Sequence, residues 1–307
     1  NIFTHDTFIQ DINLLPSGHY LVLKNNETKL LKYWDYNFKS ETKIKSENDY
    51  IDELDFLFRR AVKRQLVGDV ELGAYLSGGI DSSAITAIVS KNFKELKSFT
   101  CGFDLSSVSG IELSYDEREK AEAISAIFKT EHYQMILKSG DMERSLSSLA
   151  FSLEEPRLGS SYPNYFMAKL ASKFVKVVLS GIGGDELFCG YPWRYYSGPV
   201  SISFDNFIDN YFLYWQRLMD EKTLRRMFDP ISMQIKDFDA KEIFKNVFPK
   251  INKSSLSEED FINYSLYFET KTFLHGLFVV EDKLSMAHGL ETRVPFMDND
   301  LVDFAMR

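Results

Sequence analysis

Apolar and polar positions follow two rhythms along this chain, and the change from one to the other divides it. Residues 14–23 and 29–34 carry Leu, Val, Tyr and Trp in extended runs on either side of Lys24-Asn25-Asn26-Glu27-Thr28, which predicts a β-hairpin. An isolated hairpin is marginal in water, so this piece is expected either to pack on the main domain or to be the trailing edge of a preceding one. A polar stretch over residues 39–48 reads as a linker. Ile51, Leu54, Phe58, Ala61 and Val62 then recur at helical spacing and predict a helix over 50–66.

From residue 70 the pattern becomes strand, turn and helix in alternation. Strands are predicted at 70–76, 97–103, 132–137 and 175–179, with helices at 82–90, 116–128, 141–151 and 164–174. Such alternation implies right-handed crossovers and an α/β fold, a Rossmann-like parallel sheet with helices on both faces. Ligands of these sheets bind outside the carboxyl ends of the strands. After about residue 200 the strand signal fades, and 207–218, 241–248 and 258–274 read as helices of a C-terminal lobe closing over the sheet edge. The expected division is a hairpin at 1–38, a linker and helix at 39–69, an α/β domain at 70–199 and a helical lobe at 200–307.

Composition narrows the classes. At 307 residues and 44% hydrophobic content the chain can bury a large core. No run approaches the ~20 apolar residues of a membrane span, and the N-terminus lacks a basic segment followed by an apolar one, so a cytoplasmic address is expected. A formal charge of −9 argues against wholesale binding to nucleic acid or anionic membrane. The basic knot Arg59-Arg60-Ala61-Val62-Lys63-Arg64 reads as a solvated helix face. Cys101 and Cys189 have no second thiol at metal spacing and read as reduced, mostly buried thiols.

The chemistry concentrates in two loops. Leu76-Ser77-Gly78-Gly79-Ile80-Asp81-Ser82-Ser83 lies where the first central strand turns into a helix. Its glycines let the backbone approach an anion, the helix N-terminus offers unpaired N–H groups, and the serines add hydroxyls, which makes a pyrophosphate cradle. A carboxylate beside phosphate repels it unless a cation lies between, so Asp81 is assigned to Mg²⁺. A Walker-type loop is excluded, because no G-x-x-x-x-G-K-[ST] occurs. The second loop, Ser180-Gly181-Ile182-Gly183-Gly184-Asp185-Glu186-Leu187-Phe188-Cys189-Gly190-Tyr191, follows the last strand. Asp185 is expected to face Asp81 and share the Mg²⁺, with Glu186 beside them as a third candidate catalytic residue. Arg293 could hold a carboxylate or phosphate in bidentate fashion, or pair internally with Glu291; both readings stay open. The aromatics from Tyr191 to Tyr196 read as packing.

These residues resemble the asparagine synthetase family. Ser77-Gly78-Gly79-Ile80-Asp81-Ser82-Ser83 looks like its pyrophosphate motif, and Leu179-Ser180-Gly181-x-Gly183-Gly184-Asp185-Glu186-Leu187-Phe188-x-Gly190-Tyr191 like its second ATP loop. Tyr115-Asp116-Glu117, Glu154-Glu155-Pro156 and the stretch from Asp282-Lys283-Leu284-Ser285-Met286 through His288-Gly289-Leu290-Glu291-Thr292-Arg293-Val294-Pro295-Phe296-Met297-Asp298 are similar too. NAD and GMP synthetases share the first motif but not that final stretch.

The resemblance implies an adenine nucleotide alpha hydrolase-like fold and ATP with Mg²⁺ as cofactors. Adenosine would be lined by Leu76, Ser77, Cys101, Ser180 and Gly181. Gly78, Gly79, Ser82 and Ser83 belong to the ATP site, Asp81 and Asp185 would hold the metal, and Glu155, Glu291 and Arg293 are candidates for substrate. The implied reaction adenylates aspartate, releases pyrophosphate and uses ammonia to form asparagine and AMP, with a glutaminase domain as partner in a full-length chain.

Two departures bear on the substrate. The residue between the glycines of the second loop is usually acidic in asparagine synthetases and tyrosine in β-lactam synthetases, but here it is Ile182. Where the family has an acidic residue seven positions before Asp282-Lys283, this chain reads Leu274-His275-Gly276. An adenylating ligase with another carboxylate or amine acceptor, and a non-catalytic ATP-binding module, are therefore carried as alternatives. The oligomeric state stays open, a homodimer included. The chain begins at Asn1 without a nucleophilic cysteine and stops at Arg307 before the family's downstream lysine, so nucleotide binding without glutamine hydrolysis or full turnover is expected.

Overall fold

The computed structural model describes residues 2–39, 45–106, 116–155, 161–195, 203–216, 219–250 and 255–307. Tyr115 and Pro156, quoted above for the family resemblance, and Tyr196 lie outside the described residues. Strands β1 (His19–Lys24) and β2 (Glu27–Lys32) form the expected antiparallel hairpin. Its turn is tighter than the polar run suggested: Asn25 and Asn26, both at positive φ, make the two-residue connection that matches strand twist. Most of the hairpin is exposed, and anchoring comes from its flanks. Phe3 packs on Phe244 and Phe268, while Asp35 pairs with Lys271 at 3.0 Å.

Helix α1 (Glu47–Gln65) opens on a capping box in which Ser46 and Asp49 satisfy each other's backbone N–H groups. The alternating segment follows as β3 (Leu72–Tyr75), α2 (Ile80–Val89), β4 (Lys97–Phe103), α3 (Arg118–Phe128) and β5 (Glu131–Leu137). Next come α4 (Asp141–Leu153), α5 (Ser161–Ala171), β6 (Val177–Leu179), α6 (Gly184–Leu187) and α7 (Pro192–Tyr195). The lobe contributes α8 (Phe204–Trp215), α9 (Glu221–Phe228), α10 (Ala240–Lys245) and α11 (Glu258–Phe268). A π-helical turn, Glu269–Leu274, runs on from α11 into α12 (His275–Met286), and β7 (Glu291–Arg293) and α13 (Asn299–Ala305) end the chain.

The sheet is parallel, in the order β5-β4-β3-β6-β7. Both faces are covered. On one, Leu57, Ala61, Ile85 and Leu301 from α1, α2 and α13 pack on Ala74 and Leu179. On the other, Ala168 and Ala171 of α5 pack on Tyr75, Phe99 and Val178. The lobe has its own core, in which Phe207, Tyr211, Phe244, Phe248, Phe261 and Phe268 pack mostly edge to face or tilted, with Phe248 stacked on Phe268.

Two expectations need correction. The region from 200 to 307 is not helical throughout, since β7 returns to the sheet as its fifth strand and α13 packs on α1. The helix expected over 258–274 extends instead, through the π-turn, to Met286. The basic knot of α1 is the expected solvated face, with Arg59, Lys63 and Arg64 exposed, and from it Arg60 and Arg64 reach Asp300 at 2.7 Å and Arg64 also Asp298 at 2.8 Å. No helix among the described residues is long and apolar enough to cross a membrane.

Candidate functional site

From β3 the chain steps outward through β4 to β5, and β6 then pairs on the other side of β3. The crevice outside the carboxyl ends of β3 and β6 is therefore the point where strand order reverses, the usual ligand position of an open α/β sheet. Both glycine-rich loops open there. Leu76 and Ser77 follow β3, Ser180 and Gly181 follow β6, and Cys101 lies late in β4 beside β3, so the residues expected around adenosine stand at the carboxyl ends of three neighbouring strands.

The first loop is held by its own side chains. The Ser77 N–H donates to Ser82 Oγ at 3.1 Å, the two hydroxyls lie 2.9 Å apart, and the Gly79 N–H donates to Ser77 Oγ at 3.2 Å. Thr100 Oγ1 donates to the Leu76 carbonyl and ties the loop to β4. Gly79 stands at the N-cap of α2, where no side chain caps the helix, whereas α1, α8, α9 and α11 are capped by Ser46, Ser203, Asp220 and Ser257. In the same first turn the buried Ser83 hydroxyl has no hydrogen-bond partner among the described residues. Uncapped N–H groups and a spare hydroxyl at a helix start suit a phosphate.

The second loop is pressed against the first. A Cβ placed on Gly184 would strike the Asp81 carboxylate, with Oδ1 2.6 Å away, and one on Gly181 would lie 3.0 Å from Asp81 Cβ and the Ser82 nitrogen. Only glycine lets the loops approach so closely. The Asp185 backbone N–H is directed at the Asp81 carboxylate. Burial first, and then the neighbouring Asp185 and Glu186 charges, push Asp81 up to about 6. Among the described residues no three His, Cys, Asp or Glu side chains are arranged to hold a metal. Two carboxylates nonetheless fit the hard-oxygen donor set of Mg²⁺, which takes its other ligands from phosphate and water.

Other candidates fall elsewhere. The Glu186 carboxylate is buried and turned into its own loop, accepting from the Gly183 N–H at 3.1 Å and from the Tyr191 hydroxyl at 2.9 Å. Burial also pushes it above the usual carboxylate range. That arrangement replaces the expected catalytic contact with a supporting one. Arg293 donates to Glu291 at 2.7 Å and to the Gln65 and Val67 carbonyls at 2.7 and 2.8 Å, so the internal-pairing reading holds. Glu291 opens β7, opposite Val177, at the end of the strand away from the loops. Neither is positioned as a substrate ligand. Glu155 follows α4, half-buried, and the neighbouring Lys283 holds the end of that helix through the Leu153 carbonyl at 2.8 Å and Glu154 at 3.1 Å.

Cys101 is half-buried, and burial with the nearby Asp116 pushes its thiol up to about 12; neither cysteine is in a disulfide. His288 packs at a tilt on Tyr165, with ring centres 4.5 Å apart, and His275 is half-buried at the start of α12. Sequence reasoning missed Glu281. This acid is buried beside Tyr75, accepts from Thr292 Oγ1 at 3.1 Å, and is pushed by burial up to about 7. It stands directly before the quoted Asp282-Lys283 pair, and an acid set directly against the apolar run Leu277-Phe278-Val279-Val280 was the available signal.

The asparagine synthase family model matches residues 53–307. This chain belongs to that family. Asparagine synthetase [glutamine-hydrolyzing] 1 of Bacillus subtilis is 27% identical over 95% of this chain and 49% of its own length. A putative asparagine synthetase [glutamine-hydrolyzing] 2 of Methanocaldococcus jannaschii is 33% identical over 58% of this chain and 33% of its own. The chain thus spans about half the length of the curated Bacillus relative it matches, or less of the archaeal one. A solved NH3-dependent NAD synthetase from Campylobacter jejuni aligns with 67% of this chain and 99% of its own at 14% identity, but a TM-score of 0.29 carries no argument.

Proposed function

We propose that this chain is the synthetase part of an ATP-dependent amide ligase of asparagine synthetase type. The observation that carries the reading is the interlocking of the two glycine loops at the reversal point of the sheet, with Asp81 and Asp185 brought together there. Asp81 and Asp185 would hold Mg²⁺, whose charge would neutralise the departing pyrophosphate. The uncapped start of α2, with Gly79, Ser82 and Ser83, would orient the phosphates, and Leu76, Ser77, Cys101, Ser180 and Gly181 would line the adenosine.

A carboxylate oxygen of the substrate attacks the α-phosphorus, the α–β bridging bond breaks, and pyrophosphate leaves with its electron pair. Ammonia then attacks the acyl carbon, loses a proton, and the bond to AMP breaks. The first half needs positioning and charge neutralisation rather than a protein nucleophile, which suits a site built from backbone and hydroxyl donors. Aspartate is the substrate of the main reading, with ammonia drawn from a glutaminase domain of the full-length protein.

Ile182 supports a second reading within the same chemistry. An apolar residue between Gly181 and Gly183 can neither carry a proton nor pair with an amine, so a carboxylate other than aspartate would be activated. Pyrophosphate exchange into ATP, measured on the full-length protein with aspartate compared against a panel of carboxylic acids, tests both. Exchange requiring aspartate supports the first, exchange with another acid alone supports the second, and exchange with none removes the ligase.

A further inference from the structure

A line of buried contacts leads from the second loop into the helical lobe. Glu186, 2% exposed, accepts from the Gly183 N–H and from the Tyr191 hydroxyl, as described above. The Arg194 guanidinium lies 3.7 Å from the centre of the Tyr191 ring, and its Nη1 donates to Glu269 Oε2 at 2.8 Å. Glu269, 0% exposed, also accepts from the Tyr211 hydroxyl at 3.0 Å and begins the π-helical turn. Phe273 of that turn backs Arg194 at 4.7 Å.

A buried ion pair adds little net stability over an apolar replacement of the same shape. A π-turn inside an α-helix is also rare and tends to mark functional places. The turn between Glu186 and Tyr191 gives both features a use. Its Gly190 N–H donates to the Asp185 carbonyl at 2.8 Å, and a Cβ on Gly190 would collide with the Asp185 carboxylate. Asp185 is thus held by a closed turn whose two ends, Glu186 and Tyr191, are themselves joined. Moving Tyr191 moves that turn.

We propose that Arg194 and Glu269 are positioning residues which, through Tyr191 and Glu186, fix the turn bearing Asp185 and so set the Mg²⁺ requirement of nucleotide binding. The inference rests on the Mg·ATP reading of the site. It makes the lobe part of the metal site without touching the ligand.

Tyr191→Phe isolates the link, because the ring stays under Arg194 and only the hydroxyl to Glu186 is lost. Glu269→Gln keeps the shape at the other end. Calorimetric titration of ATP at graded Mg²⁺ should show the half-saturating Mg²⁺ concentration raised about tenfold in Tyr191→Phe, as expected for losing one hydrogen bond to a charged group. ATP binding without Mg²⁺ should stay near wild type, and the melting temperature should fall by no more than the loss of one buried hydrogen bond implies. In protein free of metal and nucleotide, amide hydrogen exchange across residues 180–191 should accelerate in both variants while the first loop stays protected. Wild-type Mg²⁺ requirement together with wild-type exchange in a folded Tyr191→Phe protein would overturn the proposal, whatever Glu269→Gln does. Absence of Mg²⁺-dependent ATP binding in the wild type would remove the functional reading instead, and the exchange comparison, which uses no ligand, would still judge the link between lobe and loop.

Discussion

The two glycine loops meet around one carboxylate but differ in how far their supports reach. The first closes on itself: Ser77, Gly79 and Ser82 satisfy one another within six residues, and Thr100 of the adjacent strand adds the outside tie. The second also has bonds of its own, from the Gly183 N–H and the Tyr191 hydroxyl to Glu186, but it is braced from afar as well, by the Arg293 carbonyl on the Ser180 N–H at 2.9 Å and by the contacts from Tyr191 through Arg194 to Glu269. A self-contained loop keeps its shape whatever surrounds it. A loop braced by distant elements takes its shape from them, so differences in the lobe reach the site through Asp185 rather than through Asp81.

The sharpest test of that contrast is Asp81→Asn, which should abolish Mg²⁺-dependent ATP binding, a loss above a hundredfold by calorimetry on the order of the ~3 kcal/mol such a ligand contributes. The same variant carries a pH signature. The folded carboxyl titrates near 6 against an ordinary 3.8, so between those values the folded state binds more protons than the unfolded one. Stability of the metal-free protein therefore falls as pH rises through this window, and the full penalty remains above it. Asp81→Asn removes the charge and should melt higher than wild type at pH 7, by about 1 kcal/mol after allowance for solvent screening, and show no such gain at pH 4. Equal melting curves at pH 7 would mean that Asp81 is not strained by its neighbours.

Next in size is Gly184→Ala. Its Cβ would meet the Asp81 carboxylate and drive the loops apart, with an overpacking cost of about 2 kcal/mol, or roughly thirtyfold in ATP affinity. Unchanged affinity would deny the interlock. The smallest effect is expected from Ser82→Ala, which deletes the hydroxyl that orders the first loop; about 1 kcal/mol, near fivefold, should be lost. A larger loss with normal loop exchange would assign that hydroxyl to phosphate rather than to the loop.

The contrast also explains what the sequence made legible. The first loop is local, so its turn was legible in the residues from Leu76 to Ser83, and β4 was read at its true bounds from Phe99, Thr100 and Phe103, residue types that favour strands. The parallel order followed from alternation. What escaped was non-local or lacked a period. β7 is the polar triplet Glu-Thr-Arg, a strand because β6 stands beside it rather than because of its residues. The π-turn leaves no mark in hydrophobic spacing. The Arg194–Glu269 pair spans 75 positions, and no motif points from one partner to the other. Glu186 was legible as an acid beside an acid, but its turn into the loop, toward the hydroxyl of Tyr191, was not.

The return of β7 to lie against β6 makes everything between them, residues 180–290, an insertion whose two ends are pinned side by side in one sheet. The entropy of closing such a ring grows only with the logarithm of its length, so doubling the insertion costs about 0.6 kcal/mol. The sheet can thus carry helical lobes of very different size at almost the same thermodynamic burden. Variation in this architecture is therefore cheapest in the lobe, the part through which the second loop is braced, while the cradle of the first loop leaves no room for it.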